Sequence, residues 1–130
     1  MSRMSKLTRR AFAAAAVLTA AALTTTLFPS AAQQAVKIGA LMPLTGDLQV
    51  FGENCLNGVK LAIEQINAAG GILGAPAELV VADDQTAAQP AIDGAQRLVS
   101  VERVAGIIGA LGSGNTIPVA TTVSAPNRIP

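Results

Sequence analysis

Gly112, Ser113 and Gly114 sit where a short apolar run turns into a helix-like segment, in the stretch Ile107-Ile-Gly-Ala-Leu-Gly-Ser-Gly-Asn-Thr-Ile-Pro118. These residue types, with Pro118 near the helix start, read as strand, tight loop and helix N-terminus. A helix N-terminus points unpaired N–H groups outward and carries partial positive charge, so it suits an anion such as a carboxylate. Gly112 and Gly114 let the backbone approach a ligand closely. Ser113, between them, offers a hydroxyl with nothing bulky beside it. The loop reads as half of a small-molecule site. A plain strand-to-helix connection in an α/β domain has the same grammar, and the loop alone does not separate the two.

Other chemistries lack their residues. The loop after the first apolar run holds Gly46 and Gly52 with bulky residues between them, so no Gly-x-Gly-x-x-Gly dinucleotide fingerprint is present, and no Gly-Lys-Ser/Thr phosphate loop occurs anywhere. Without that fingerprint, Asp83 and Asp84 read as capping or solvated carboxylates rather than ribose ligands. Ser113 is not in a Gly-x-Ser-x-Gly elbow, because Leu111 and Asn115 occupy the flanking glycine places. The chain has no His, which removes His-based triads and most zinc sites. No enzyme, cofactor or metal is expected. Cys55 is the only cysteine, so no intrachain disulfide can form. Phe51 is the only aromatic residue beyond residue 32. It suits either the core or a packing surface for a ligand, and its sequence does not decide between them.

The first 32 residues read as an export leader. Arg3, Lys6, Arg9 and Arg10 form a basic start. An Ala-, Leu- and Thr-rich run follows from Ala11 to Phe28, and Ser30 and Ala32 are spaced for signal peptidase. Thr8-Arg9-Arg10-Ala11-Phe12 also resembles a twin-arginine signal, although paired Arg occurs in ordinary Sec leaders too. A membrane anchor is the other reading of the apolar run, which is only about long enough to span a bilayer. Cleavage would leave residues 33–130, with no stable membrane insertion expected afterwards. That segment holds five basic residues against eight acids, no basic patch and one aromatic, so no nucleic-acid partner is expected.

The elements that must position the loop come in a regular order. Val36–Met42, Ala77–Ala82 and Gly106–Gly109 read as strands. Leu56, Val59, Ile63 and Ile66 form one apolar stripe of a first helix, which follows a Pro43–Gly52 loop carrying Phe51 and stops at Gly70-Gly71. A second helix is expected from near Pro90 to Arg103, burying Ala91, Ala95, Leu98 and Val99, and a third from Thr116 to Ser124. Ile129-Pro130 reads as the lead-in to a fourth strand. Strand and helix in alternation predict an α/β fold, a parallel sheet with flanking helices and right-handed crossovers. In such sheets the ligand crevice lies beyond the carboxyl ends of the strands, reached here by loops 43–52, 83–89 and 111–116.

Lys37-Ile-Gly39, Pro43-Leu-Thr-Gly46, Gly52, Asn57-Gly58, Ala62-Ile63, Ile66-Asn-Ala-Ala-Gly-Gly-Ile72, Gly74, Asp83-Asp84, Ile108-Gly109, Ser113 and Thr116 together resemble the branched-chain amino-acid (Leu/Ile/Val) binding proteins, the type I periplasmic receptors of ABC importers. The resemblance covers Val36 to Pro130. It implies the first lobe of a two-lobed receptor that closes on an amino-acid-like ligand and delivers it to transporter permease subunits. It implies Ser113 as a partner of the ligand carboxylate and Phe51 as an aromatic against the ligand side chain, with Gly114 and Thr116 on the same binding loop. Several relatives join the second and third loops by a disulfide at positions matching Thr86 and Gly112, a bridge this chain lacks. The family pattern continues past Pro130, so the resemblance implies an incomplete lobe one. An extracellular sensing domain of a signalling receptor is the alternative use of such a lobe.

Overall fold

The computed structural model describes residues 33–130, and the leader and anchor readings of the first 32 residues lie outside them. Strands β1 (Val36–Met42), β2 (Ala77–Asp83) and β3 (Gly106–Gly109) form a parallel sheet in the order β2-β1-β3. Helix α1 (Gln49–Ala68) joins β1 to β2. Helix α2 (Ala88–Arg97), extended by a π turn at Leu98–Glu102, joins β2 to β3. Helix α3 (Ser113–Val119) follows, and a π turn at Ala120–Ser124 leads into the short helix α4 (Ala125–Asn127).

Alternation along β1 sorts the core into two layers, because successive strand side chains point to opposite faces. Leu41 packs with Ala82, Ala91, Ala95, Leu98, Val104, Val119 and Val123 under α2 and α3. Ala40 and Met42 pack with Leu56 of α1 on the other face. Gly52 has no room for a side chain, since a Cβ there would overlap the carbonyl oxygen of Pro43, and this lets α1 start directly against the loop that follows β1.

The Asn67-Ala-Ala-Gly-Gly block has a clear physical role. Gly70 and Gly71 take positive φ, and the Gly71 and Gly70 N–H groups donate back to the carbonyls of Ile66 and Asn67, which closes the helix in a Schellman turn. The Asn67 side chain then acts as a substitute strand for the open edge of β2. Its Oδ1 accepts from the Ala77 N–H at 2.7 Å and its Nδ2 donates to the Ala77 carbonyl at 2.9 Å. Further along the same edge the Arg97 guanidinium donates to the Val81 carbonyl. At the other edge the Ile107 N–H donates to the Pro130 carbonyl at 2.9 Å, so the chain after α4 runs beside β3 as the strand lead-in reading expects.

The helix starts differ from the sequence reading. Helix α1 begins at Gln49, so Phe51 and Gly52 are helical and not in a loop. Helix α2 begins at Ala88, and α3 begins at Ser113 rather than Thr116, which also makes Ser113 and Gly114 helical. The helical run after α3 extends past Ser124 to Asn127. The reason is common to all three starts: the N-caps are Leu48, Ala87 and Gly112, and none caps with a side chain, so the usual Ser, Thr, Asp or Asn marker is missing. Pro118 sits inside α3, where it has no N–H to offer the Gly114 carbonyl.

Replacing Asn67 by Ala leaves the Ala77 N–H and carbonyl without partners at the edge of β2. We expect Asn67→Ala to destabilise the fold by about 1–3 kcal/mol, the range for losing partners of buried polar groups, read as a lower urea midpoint. An unchanged midpoint would show that water replaces the side chain without loss.

Candidate functional site

Because the strands are parallel and in register, their carboxyl ends meet on one edge: Met42 lies beside Asp83, and Leu41 beside Gly109. Asp83 organises that edge. Its Oδ1 accepts from the N–H groups of Leu44 at 2.8 Å, Thr45 at 3.3 Å and Gln85 at 2.8 Å, and its Oδ2 accepts from the Thr45 hydroxyl at 2.7 Å. Burial works to raise the Asp83 pKa. The bonds from Gln85, from the Thr45 hydroxyl and from the Leu44 and Thr45 N–H groups outweigh it and hold the carboxyl below the ordinary carboxylate range. Asp84 is fully buried, and its Oδ1 accepts from the Thr86 N–H at 2.8 Å. Its Oδ2 has no partner among the described residues.

Thr86 ties the second loop to the first. Its hydroxyl donates to the Thr45 carbonyl at 3.0 Å and accepts from the Leu48 N–H at 3.3 Å. On the third loop, the Thr116 hydroxyl reaches the carbonyls of Ala110 at 2.7 Å and Gly112 at 2.9 Å. The Asn115 and Thr116 N–H groups also turn back to the Gly112 carbonyl. The Ser113 and Gly114 N–H groups are then the ones in the first turn of α3 without a helical acceptor.

These three loops border an open hollow of about 150 Å³ lined by Leu48, Thr86, Leu111, Gly112, Gly114 and Asn115. Leu48 and Leu111 give it apolar walls, while Thr86, the buried Asn115 and the backbone of Gly112 and Gly114 give it polar ones. That combination suits a small ligand with an apolar side chain and a polar or anionic head. Two larger concavities lie elsewhere. One of 350 Å³ runs along α2 beside the β2 edge, where Arg97 reaches Val81. One of 510 Å³ lies at the amino ends of the strands, where Lys37 pairs with Glu102 at 3.2 Å. Neither receives residues from all three loops. Among the described residues no group of three or more His, Cys, Asp or Glu could hold a metal ion.

The sequence-predicted residues are placed as follows. Gly114 lines the pocket, and no atom lies within 4 Å of where its Cβ would stand, so that side is open to a ligand. Ser113 is exposed at the first position of α3, next to the pocket-lining Gly112 and Gly114. Thr116 is half-buried behind the loop, its hydroxyl aimed at backbone carbonyls rather than into the pocket. Phe51 stands on the first turn of α1, 61% exposed and not among the pocket walls. Thr86 and Gly112, the two positions without the bridge, both line the pocket. Leu48 was not singled out from the sequence. No local signal marks it, because a leucine N-cap leaves the start of α1 unmarked in the sequence.

The sequence profile of a family described as periplasmic binding protein matches residues 35–130. Leu/Ile/Val-binding protein homolog 7 of Brucella abortus is 41% identical over 100 residues, 77% of this chain and 24% of that protein. Among solved structures, the branched-chain amino acid transporter substrate binding protein LivJ from Streptococcus pneumoniae, in complex with isoleucine, superposes with a TM-score of 0.71 at 30% identity. It is matched over 75% of this chain and 28% of its own. A periplasmic binding protein type 1 from Bordetella pertussis superposes with a TM-score of 0.68 at 37% identity, over 75% of this chain and 26% of its own. The chain thus spans about a quarter of the length of the relatives it matches.

The Asp83 geometry fixes a pH dependence. A carboxyl whose folded pKa is depressed adds stability that is fully present above its unfolded pKa, about 3.9, and is lost as pH falls toward the lower folded value. Asp83→Asn should lower the melting temperature near neutral pH and narrow the gap to wild type as the solution is acidified through that range. A constant gap across the titration would mean that the carboxylate charge does not carry the effect.

Proposed function

The chain belongs to the periplasmic binding protein family, and from that premise we propose that it is part of an importer's substrate-binding component, taking a branched-chain amino acid or a related amino acid or amide. Proteins of this family bind substrates and are not enzymes. The observation that carries the reading is the pocket where all three carboxyl-edge loops meet. Its apolar walls suit the side-chain half of such a ligand, and Ser113, next to the lining glycines but not itself a wall, serves the carboxylate half. The Ser113 hydroxyl and the Ser113 and Gly114 N–H groups take the carboxylate, and Leu48 and Leu111 take the side chain. Phe51 contributes a further apolar surface from α1. The partners are the permease subunits of an ABC transporter, and the location is the periplasm, reached by the basic-apolar leader of residues 1–32. Among the described residues no helix is long and apolar enough to cross a membrane.

The strength expected of these groups can be bounded. Two or three hydrogen bonds to a carboxylate contribute about 1.5–3 kcal/mol each. Immobilising a ligand costs at least about 4 kcal/mol. The remainder is at most about 5 kcal/mol, which corresponds to a dissociation constant of about a millimolar or weaker. Titration of the chain with isoleucine followed by NMR should give affinity of that order. Ser113→Ala should weaken it about tenfold or more, and Phe51→Ala should weaken isoleucine more than glycine. Unchanged isoleucine affinity in the Ser113 variant would remove the carboxylate assignment.

A further inference from the structure

The apolar wall of the pocket hangs on one residue whose backbone is fixed from both sides. Leu48 accepts the first helical hydrogen bond of α1 from the Gly52 N–H at 3.0 Å, and its own N–H donates to the Thr86 hydroxyl at 3.3 Å. Its side chain reaches across to the third loop. A Cβ on Gly112 would stand 3.8 Å from the Leu48 Cδ1, so the leucine already touches the space that glycine leaves open. Leu48 is therefore the point where the first and third loops meet over the pocket, with a branched apolar group facing the volume.

Thr86 is an uncomfortable choice for its position. It sits at φ +57, a left-handed conformation that β-branched residues rarely adopt. A glycine or asparagine would take that backbone at lower cost. What threonine adds is a hydroxyl on a side chain with few χ1 choices. That hydroxyl spans the Thr45 carbonyl and the Leu48 N–H, and it fills the space above Gly46, where a Cβ would come within 2.8 Å of it. Strain retained at one residue beside a pocket, with its polar atom fully used, points to a positional requirement.

We propose that Leu48 sets which ligand side chains this site accepts, and that Thr86 is the positioning residue that holds Leu48 over the pocket. The inference rests on the amino-acid-binding reading and adds to it the residue that discriminates. A pocket of about 150 Å³ has room for an apolar group of a few carbons. Leucine, isoleucine and valine are accepted because their branches meet the Leu48 methyls, and alanine and glycine leave that contact unmade. Contacts of this kind discriminate by about tenfold to a hundredfold per site.

The test is an NMR titration of the full chain with L-leucine and with L-alanine, following the amides of Leu48, Gly112 and Gly114. Wild type should bind leucine more tightly than alanine. Leu48→Ala should lower that ratio about tenfold, chiefly through weaker leucine binding. Leu48→Phe, which fills the pocket, should abolish leucine binding and retain glycine. Thr86→Val should reduce the leucine-to-alanine ratio in the same direction as Leu48→Ala, and Thr86→Ser, which keeps the hydroxyl, should restore it. An unchanged ratio in both Leu48 variants overturns the specificity role. A Thr86→Val ratio equal to wild type, or a Thr86→Ser ratio as low as that of Thr86→Val, overturns the positioning role. If wild type binds neither amino acid, the amino-acid-binding reading fails and this inference fails with it.

Discussion

The carboxylate of Asp83 is the constraint on which the rest of the binding edge depends. It stands at the last position of β2, in register with Met42, and takes four hydrogen bonds from Leu44, Thr45 and Gln85. Charged acceptors make stronger hydrogen bonds than neutral ones, so this one group fixes the start of two loops at once. With the turn at Leu44–Gly46 fixed, Thr86 can reach both Thr45 and Leu48. With Leu48 fixed, α1 starts against Pro43 and the first wall of the pocket is in place.

Above that clamp, the three helix starts share an unusual economy. Each leaves its first N–H groups without a capping side chain. Orphan donors at a helix start carry partial positive charge. In the first two loops Asp83 and Asp84 instead take the loop N–H groups of Leu44, Thr45, Gln85 and Thr86, ahead of the helix starts. The third loop has no such carboxylate, and its Ser113 and Gly114 stay exposed. Carboxylates thus organise the first two loops, while the start of α3 lies next to the apolar Leu48 and Leu111 with no carboxylate bonded to it.

Most of this fold is legible in the sequence because strands and helix ends are written in local residue types. The apolar runs at 36–42, 77–82 and 106–109 are the three strands, with β2 extended one residue to Asp83. Leu56 and Val59 of the expected stripe pack on the sheet, Ile63 is half-buried and Ile66 is exposed, and Gly70-Gly71 stops α1 as their conformational freedom requires. The helix starts were not legible, since Leu48, Ala87 and Gly112 carry no capping side chain and the chain gives no local marker there. Phe51 was assigned to a loop for that reason, and it stands instead on α1 with its ring largely exposed. The carboxyl edge of the sheet was legible as a place, because parallel strands put their carboxyl ends together. Its walls were not legible as residues. Leu48 enters the pocket only through the tertiary hydrogen bond to Thr86, across 38 positions of sequence.

In the function proposed above, an amino-acid-like ligand lies between Leu48, Leu111 and the start of α3. Intermolecular NOEs between this chain and isoleucine test it most directly. Cross-peaks are expected from the isoleucine methyls to the methyls of Leu48 and Leu111, with the ligand carboxylate shifting the Ser113 and Gly114 amides. Contacts confined to the concavity at the amino ends of the strands, among Lys37, Glu78 and Arg103, would contradict it.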